Sequence, residues 1–378
     1  MSEHRRVGLA LSGGGVRAMA FHCGVLRWLA ENKQIEDVVH VSTVSGGSLF
    51  TGLMFKLSDW QWPSSEQFLL SHHPQIRKIL TEKDLLISAI KRLLLPKNWR
   101  FLLSRANVIS QTIEHCWGIS AQLSNLPEMP VWSVNGTTAE TGRRFRFKRS
   151  GCGDYELGYA EAYRFKVADA MATSAAFPIG IGPFVIKTED LVWYRRESWD
   201  SPPNRIKEVK LPFDRLHIYD GGVYDNLGIE PLFDMGTQKL KDGVDRIIVS
   251  DAGASLKRGP LGWALNPFRA KRVADIALDQ TRALRVRSFI NFIKTNPSSG
   301  KYLQLGTEAL SQIEKFRAQN DGVCQKLLTE SWLDGNDVQI AAGYPTTLCR
   351  LTAQEFDRLE RHGYETARWN ELLFTPML

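Results

Sequence analysis

Twice near its start the chain runs a short apolar segment into a glycine cluster and then into residues with helical periodicity. Val7-Gly8-Leu9-Ala10-Leu11 meets Ser12-Gly13-Gly14-Gly15, after which Met19, Cys23, Leu26 and Ala30 recur at helical spacing. Val38 to Val44 meets Ser45-Gly46-Gly47, and a second helix opens at Ser48. Strand, tight turn and helix, repeated at once, constrain the fold severely. Neighbouring strands joined through a helix run parallel, and the helices must cover the sheet they connect. The expected class is therefore α/β, with three α/β/α layers around a central, mostly parallel sheet.

Further along, residues 58–125 read as a helical insertion that carries Trp60-Gln61-Trp62-Pro63 and an apolar, basic stretch from Leu85 to Arg105. Strands are expected at Val131 to Val134 and Arg144 to Phe147, with turns at Asn135-Gly136 and Thr141-Gly142. Leu216 to Tyr219 and Ile247 to Ser250 are further strands, each ending in an aspartate, Asp220 and Asp251. A glycine- and proline-rich loop then leads to a basic helix from Phe268 to Lys294, and Thr352-Ala353-Gln354-Glu355 opens a last helix that Gly363 is expected to close. The division expected is 7–251 as the catalytic domain and 252–378 as a smaller helical extension packed on it.

A chain of 378 residues, 43% hydrophobic, can bury a full core. Its five cysteines, Cys23, Cys116, Cys152, Cys324 and Cys349, are scattered and lack a CxxC pair, which argues against a disulfide framework and a structural zinc site. No metal or organic cofactor is expected. Neither an export signal nor an apolar run long enough to span a bilayer is visible, so the expectation is a cytoplasmic protein that meets the inner membrane peripherally. The net charge of +7 favours anionic partners.

Ser45 stands where a strand should turn abruptly into a helix, close to the G-x-S-x-G pattern in which small neighbours let the serine project from the sheet edge. Thr43 replaces the first glycine of that pattern, and a Ser-Gly-Gly turn by itself is a common structural device. Gly13, Gly14 and Gly15 can aim several backbone amides at one point, the arrangement that stabilises an oxyanion or a phosphate. Arg17 can bind an anion or simply anchor the loop. Asp220-Gly221-Gly222 brings a carboxylate to a strand end, where an aspartate is also a frequent turn former.

Taken together, Ser12 to Arg17, the V-S-G-G-S run around Ser45, and the D-G-G at Asp220 resemble the patatin-like phospholipase family. Ala172 to Pro178 and Asp225-Asn226 add to the likeness, which covers roughly residues 7 to 251, while Gln280 to Arg287 and His362-Gly363-Tyr364 resemble a bacterial subset more loosely. Ser12 departs from the aspartate of many members. The resemblance implies a lipid acyl hydrolase with Ser45 as nucleophile, Asp220 as its base, an oxyanion hole at Gly13, Gly14 and Gly15, and membrane phospholipids as substrate.

Two other readings stand beside this one. A Ser-His-Asp esterase would need His362, the sole histidine after Asp220, though that residue reads better as a cation at a helix end. A catalytically silent nucleotide sensor would use the glycine loop and the basic C-terminal surface. The resemblance to bacterial anti-phage effectors implies a cyclic nucleotide activator on Lys257, Arg258, Arg269, Lys271, Arg272, Arg282, Arg285 and Arg287; a homo-oligomer is compatible with it, and no nucleic acid polymer is expected.

Overall fold

The computed structural model describes residues 5–178, 180–197, 205–241, 243–254, 256, 259 and 268–374. β1 (Val7–Leu11) leads into α1 (Gly15–Glu31), and β2 (Val38–Thr43) into α2 (Gly46–Leu57). The insertion contains α3 (Ser65–Gln67), α4 (His73–Glu82), α5 (Leu85–Leu93) and α6 (Ala106–Trp117). β3 (Val131–Thr138), β4 (Arg144–Lys148), β5 (Gly151–Asp154) and β6 (Gly158–Ala160) follow, then α7 (Val167–Ser174), β7 (Phe184–Lys187), β8 (Trp193–Arg196), β9 (Ile206–Val209) and β10 (Arg215–Asp220). The remainder comprises α8 (Gly222–Asp225), the hairpin of β11 (Phe233–Asp234) and β12 (Lys239–Leu240), β13 (Arg246–Asp251), α9 (Phe268–Thr295) and β14 (Gly300–Gln304), then α10 (Ala309–Phe316), α11 (Asp321–Leu328), α12 (Gly335–Gly343) and α13 (Ala353–Phe374).

Every residue of β1 is buried, as a strand covered on both faces requires. It pairs in parallel with β2 and β13, and the sheet runs β14-β13-β1-β2-β3-β4-β5-β6-β8-β9. From β14 to β3 the pairing is parallel, and from β3 outward it is antiparallel. The main core lies on one face, where Leu9, Leu11, Trp132, Phe145 and Phe147 meet α1, α2, α6 and α7. On the other face, Ala10, Ile247 and Val249 pack under Phe233, Phe289 and Phe292 of the hairpin and α9.

β3 is the hinge of the arrangement. Its first half pairs with β2 in parallel, ending at Thr43 opposite Val134, and its second half pairs with β10 antiparallel, ending at Asp220 opposite Gly136. β2 and β10 therefore approach each other head to head along the same side of β3. This corrects the expected turn at Asn135-Gly136: both residues lie inside β3, because two different partner strands satisfy its successive backbone groups, and the chain reverses only after Thr138.

The chain after Asp251 is woven into the same body. β14 extends the sheet beyond β13, and α13 crosses α1 along the main core. Gly363 does not close the last helix, which continues to Phe374. A Cβ there would lie 2.0 Å from the Phe21 carbonyl oxygen, and one on Gly24 of α1 would lie 1.8 Å from that of Glu360. The glycines permit backbone-to-backbone contact between the two helices. Helix propensity alone would favour alanine by about 1 kcal/mol, so the packing requirement outweighs it. Gly363→Ala is accordingly expected to destabilise the fold by roughly 2 kcal/mol or more, read as a lowered midpoint in urea unfolding; an unchanged or raised midpoint would contradict the close crossing.

Candidate active site

Ser45 follows β2 after the single residue Val44 and is the residue that turns the chain into α2, with φ 49° and ψ −116°. A non-glycine residue rarely occupies that region, and holding one there costs about 1–3 kcal/mol. The elbow is secured from several sides. The Ser45 amide donates to Ser174 Oγ at 3.0 Å, and Ser174 Oγ donates to the Asn135 carbonyl at 2.7 Å. Thr43, in place of the pattern's glycine, uses its hydroxyl to pair with Ser48 Oγ at 2.8 Å and to accept Trp132 Nε1 at 2.9 Å. Although Ser45 occupies the N-cap of α2, its side chain caps no amide. The hydroxyl is left for other chemistry.

Asp220 is the group it faces. The Asp220 amide donates to the Ala176 carbonyl at 3.0 Å, and its own carbonyl accepts Thr137 Oγ1 at 2.9 Å. Burial pushes the carboxyl up to about 7, against the Gly222 amide, which donates to Oδ1 at 2.6 Å, and the Ser45 hydroxyl, both of which favour the ionised form. The segment from Ser174 to Ala176 thus holds both members of the pair, one by a hydroxyl and one by a carbonyl. Sequence reading singled out 172–178 only as familiar; its positioning role depends on contacts with residues far away in the chain.

The glycine loop packs directly on the elbow: a Cβ on Gly13 would come within 3.1 Å of Ser45 Cβ, and one on Gly46 within 2.3 Å of the Gly15 carbonyl oxygen. Its three amides are not equivalent. Gly13 N–H donates to the Asn226 carbonyl at 3.2 Å, so it is occupied, whereas those of Gly14 and Gly15 have no acceptor among the described residues. Gly13 therefore shapes the loop and the next two amides remain to receive an oxyanion.

Arg17, expected to meet an anion, is turned inward. It is 1% exposed and donates to the carbonyls of Ala252, at 3.2 Å, and Tyr344, and to Thr346 Oγ1 at 3.2 Å. It anchors α1 to loops after β13 and α12. Ser12 Oγ accepts the Ala252 amide at 2.7 Å, fixing the same junction.

The histidines lie elsewhere. His362 is in the middle of α13, where burial lowers its pKa to about 4 and Nε2 accepts the Gly306 amide at 2.9 Å. The expected role as a cation at a helix end is corrected, since the helix does not end there. His22 is buried between the Ser12 carbonyl, 3.0 Å from Nε2, and Ser250 Oγ, 2.7 Å from Nδ1.

Much of the basic set expected to hold a cyclic nucleotide is also committed. Arg282 clasps the buried Asp251 at 2.5 Å, Arg285 lies 3.5 Å from Asp225, and Lys271 pairs with Asp275 at 2.5 Å. Asp275 is the (i,i+4) neighbour of Lys271 on α9 itself, whereas Asp251 at the end of β13 and Asp225 at the end of α8 are carboxylates that sequence spacing could not bring beside α9. Lys257 and Arg258 lie outside the described residues.

The raised carboxyl of Asp220 makes a stability statement. Its neutral form stabilises the fold fully below the ordinary carboxylate pKa of about 3.9, and that contribution is lost as pH rises through about 7. Asp220→Asn should therefore melt above the wild type at pH 8, with the gap closing toward pH 4. Ser45→Gly should exceed Ser45→Ala in stability by about 1 kcal/mol, because only glycine relieves the backbone conformation. Equal melting of Asp220→Asn and wild type across this range would refute the buried-carboxyl account.

The family described as Patatin-like phospholipase matches residues 9–233. Among solved structures, human GIVD cytosolic phospholipase A2 is similar over 98% of this chain, at 15% identity and TM-score 0.54, and its complex with methyl gamma-linolenyl fluorophosphonate gives 14% identity and 0.51. VipD from Legionella pneumophila gives 15% identity over 98% of this chain and 67% of its own, with TM-score 0.36. The chain spans 59% and 57% of the two human phospholipase chains. Comparison with curated proteins returns no match.

Proposed function

Since the chain belongs to the patatin-like phospholipase family, we propose that it is a lipid acyl hydrolase working through a Ser45–Asp220 dyad and an acyl-enzyme. The observation that carries this reading is the Ser45 hydroxyl, uncommitted to capping, facing a buried carboxyl whose pKa lies near 7. In the reaction, Asp220 takes the Ser45 proton as Oγ attacks the ester carbonyl. The oxyanion is received by the Gly14 and Gly15 amides, and Asp220 returns the proton to the leaving alcohol. Water, deprotonated by Asp220, then attacks the acyl-enzyme, and as the second tetrahedral intermediate collapses Asp220 returns that proton to Ser45 Oγ, freeing the fatty acid and restoring both groups. A base with an ordinary carboxylate pKa would be ionised but weak, whereas one near 7 is both ionised at working pH and basic enough to act.

Expected results are a loss of ester hydrolysis by a factor of about 10³ or more in Ser45→Ala and in Asp220→Asn, the groups acting as a unit. The rate should climb with pH through about 7 and then level off. His362→Ala should lower thermal stability while sparing kcat; loss of turnover in a folded His362→Ala protein would transfer the base role to a histidine.

The substrate is proposed to be phospholipid at a membrane surface. None of the helices among the described residues is long and apolar enough to cross a bilayer, but the insertion bears Leu94, Trp99 and Leu103 at 70%, 63% and 86% exposure, with Lys91, Lys97 and Arg100 beside them. Such a mixture suits an anionic interface, with apolar side chains among acyl chains and cations at head groups. Arg105 links it to the site, donating to the Gly180 carbonyl at 3.1 Å in the loop that continues from Ala176. Replacing Lys91, Lys97 and Arg100 with glutamine should weaken attachment to phosphatidylglycerol vesicles and leave cleavage of a soluble ester intact; undiminished attachment would remove the patch from the proposal. A cyclic nucleotide activator and an anti-phage role are not included, because Arg282 and Arg285 already serve internal carboxylates.

A further inference from the structure

On the sheet face opposite α1, α2 and α7, Arg144, Arg146 and Lys148 occupy one row of β4, while Phe145 and Phe147 between them enter the main core. The cross-strand partners of Arg146 and Lys148 on β5 are Gly153 and Gly151, which place no side chain over the row. Tyr159 of β6 bounds it, its hydroxyl accepting Arg146 Nη2 at 2.5 Å. Lys241, just after β12, brings its charge against the same row.

The charge balance is one-sided. Arg144 has Glu230 at 4.0 Å, and that carboxylate also lies 4.0 Å from Arg285. Lys241 senses Glu230 and Asp234 without forming an ion pair, and Lys148 has neither an acceptor nor a carboxylate partner among the described residues. Burial, then Arg146, Arg144 and Lys241, lower the Lys148 pKa to about 8. Recessed like charges repel and are poorly hydrated, so a counter-charge entering from solution would relieve both penalties.

We propose that the cleft between β4 and the β11–β12 hairpin is a binding site for a small phosphate-bearing polyanion, held by Arg144, Arg146, Lys148 and Lys241. Guanidinium forks match phosphate oxygens, and several converging cations favour a multivalent anion over a monovalent one. A cavity of about 560 Å³ adjoins the cleft between the hairpin and α9, lined by Tyr224, Glu230, Asp234, Lys241, Leu284 and Arg285; its two carboxylates suit it to an uncharged, hydroxyl-bearing remainder of the ligand and leave the phosphates to the β4 row. The occupant is a soluble molecule, not a bilayer. The Arg144 side chain is only 11% exposed, beyond the reach of a flat surface, and the insertion with its apolar patch packs on the opposite face of the sheet. Arg144 also donates to Asn135 Oδ1 at 3.2 Å, and Asn135 Nδ2 donates to the Thr43 carbonyl at 2.9 Å, so the site borders the serine elbow.

The proposal stands independently of hydrolysis and is tested by binding. Pyrophosphate is titrated calorimetrically into the wild type, Lys148→Gln and Lys241→Gln at constant ionic strength. Saturable binding to the wild type is expected, with affinity falling roughly tenfold or more in each variant. Without pyrophosphate the variants should melt at or above the wild type, since a repelling charge has been removed. Absence of saturable binding to the wild type, or equal affinity in the variants, would overturn the site. So would loss of attachment to phosphatidylglycerol vesicles in the variants with no pyrophosphate binding in the wild type, which would assign these cations to membrane contact.

Discussion

The head-to-head approach of β2 and β10 along β3 is the constraint on which the site depends. Two strands that ended side by side would send their following residues in one direction, whereas these two direct Ser45 and Asp220 toward each other. Pairing to β3 sets the spacing: Thr43 is opposite Val134 and Asp220 is opposite Gly136. Where neither strand continues, Asn135 fills the interval, donating through Nδ2 to the Thr43 carbonyl and Ser42 Oγ and accepting Ser174 Oγ at its own carbonyl. The break in the sheet is thereby satisfied by side chains. The Thr43 and Asn135 carbonyls are thus met without water, and the Asp220 carboxyl beside them stays dry enough for burial to raise its pKa.

Strain and desolvation are both stored at this point. Ser45 adopts an unfavourable backbone conformation, and Asp220 carries a carboxyl that burial makes reluctant to ionise. Each costs stability, and each is tolerated because the elbow is surrounded by elements that gain from large apolar contacts on both faces of the sheet. In the proposed reaction that cost is what prepares the two groups in advance.

The sequence made the local parts of this legible. β1, β2, the serine elbow and the aspartate at the end of β10 all rest on short-range patterns, short apolar runs and glycine turns, and each falls where those patterns require it. Other roles depended on partners distant in the chain. Arg17 reads equally as an anion ligand or a loop anchor until Tyr344 and Thr346 are seen to take its donors, and Gly363 reads as a helix terminator until Phe21 is found against it. Arg282 and Arg285 look like free cations along a basic helix, yet their carboxylates lie on Asp251 and Asp225. Ser174 carried no chemical signature at all, because a hydroxyl that holds another residue's amide looks like any other serine.

The inward turn of Arg17 has a consequence for the order in which the molecule can be made. The glycine loop leaves the ribosome about 330 residues before the groups that hold it: Val16 N–H donates to the Thr347 carbonyl at 2.9 Å, and Arg17 reaches Tyr344 and Thr346. A nascent chain that has emerged past Ser45 and Asp220 therefore still lacks the contacts that fix the glycine loop beside them. The loop is held only when the segment around residue 347 emerges and folds back, so under the proposed mechanism the receptacle for the oxyanion is completed after the nucleophile and the base have been made.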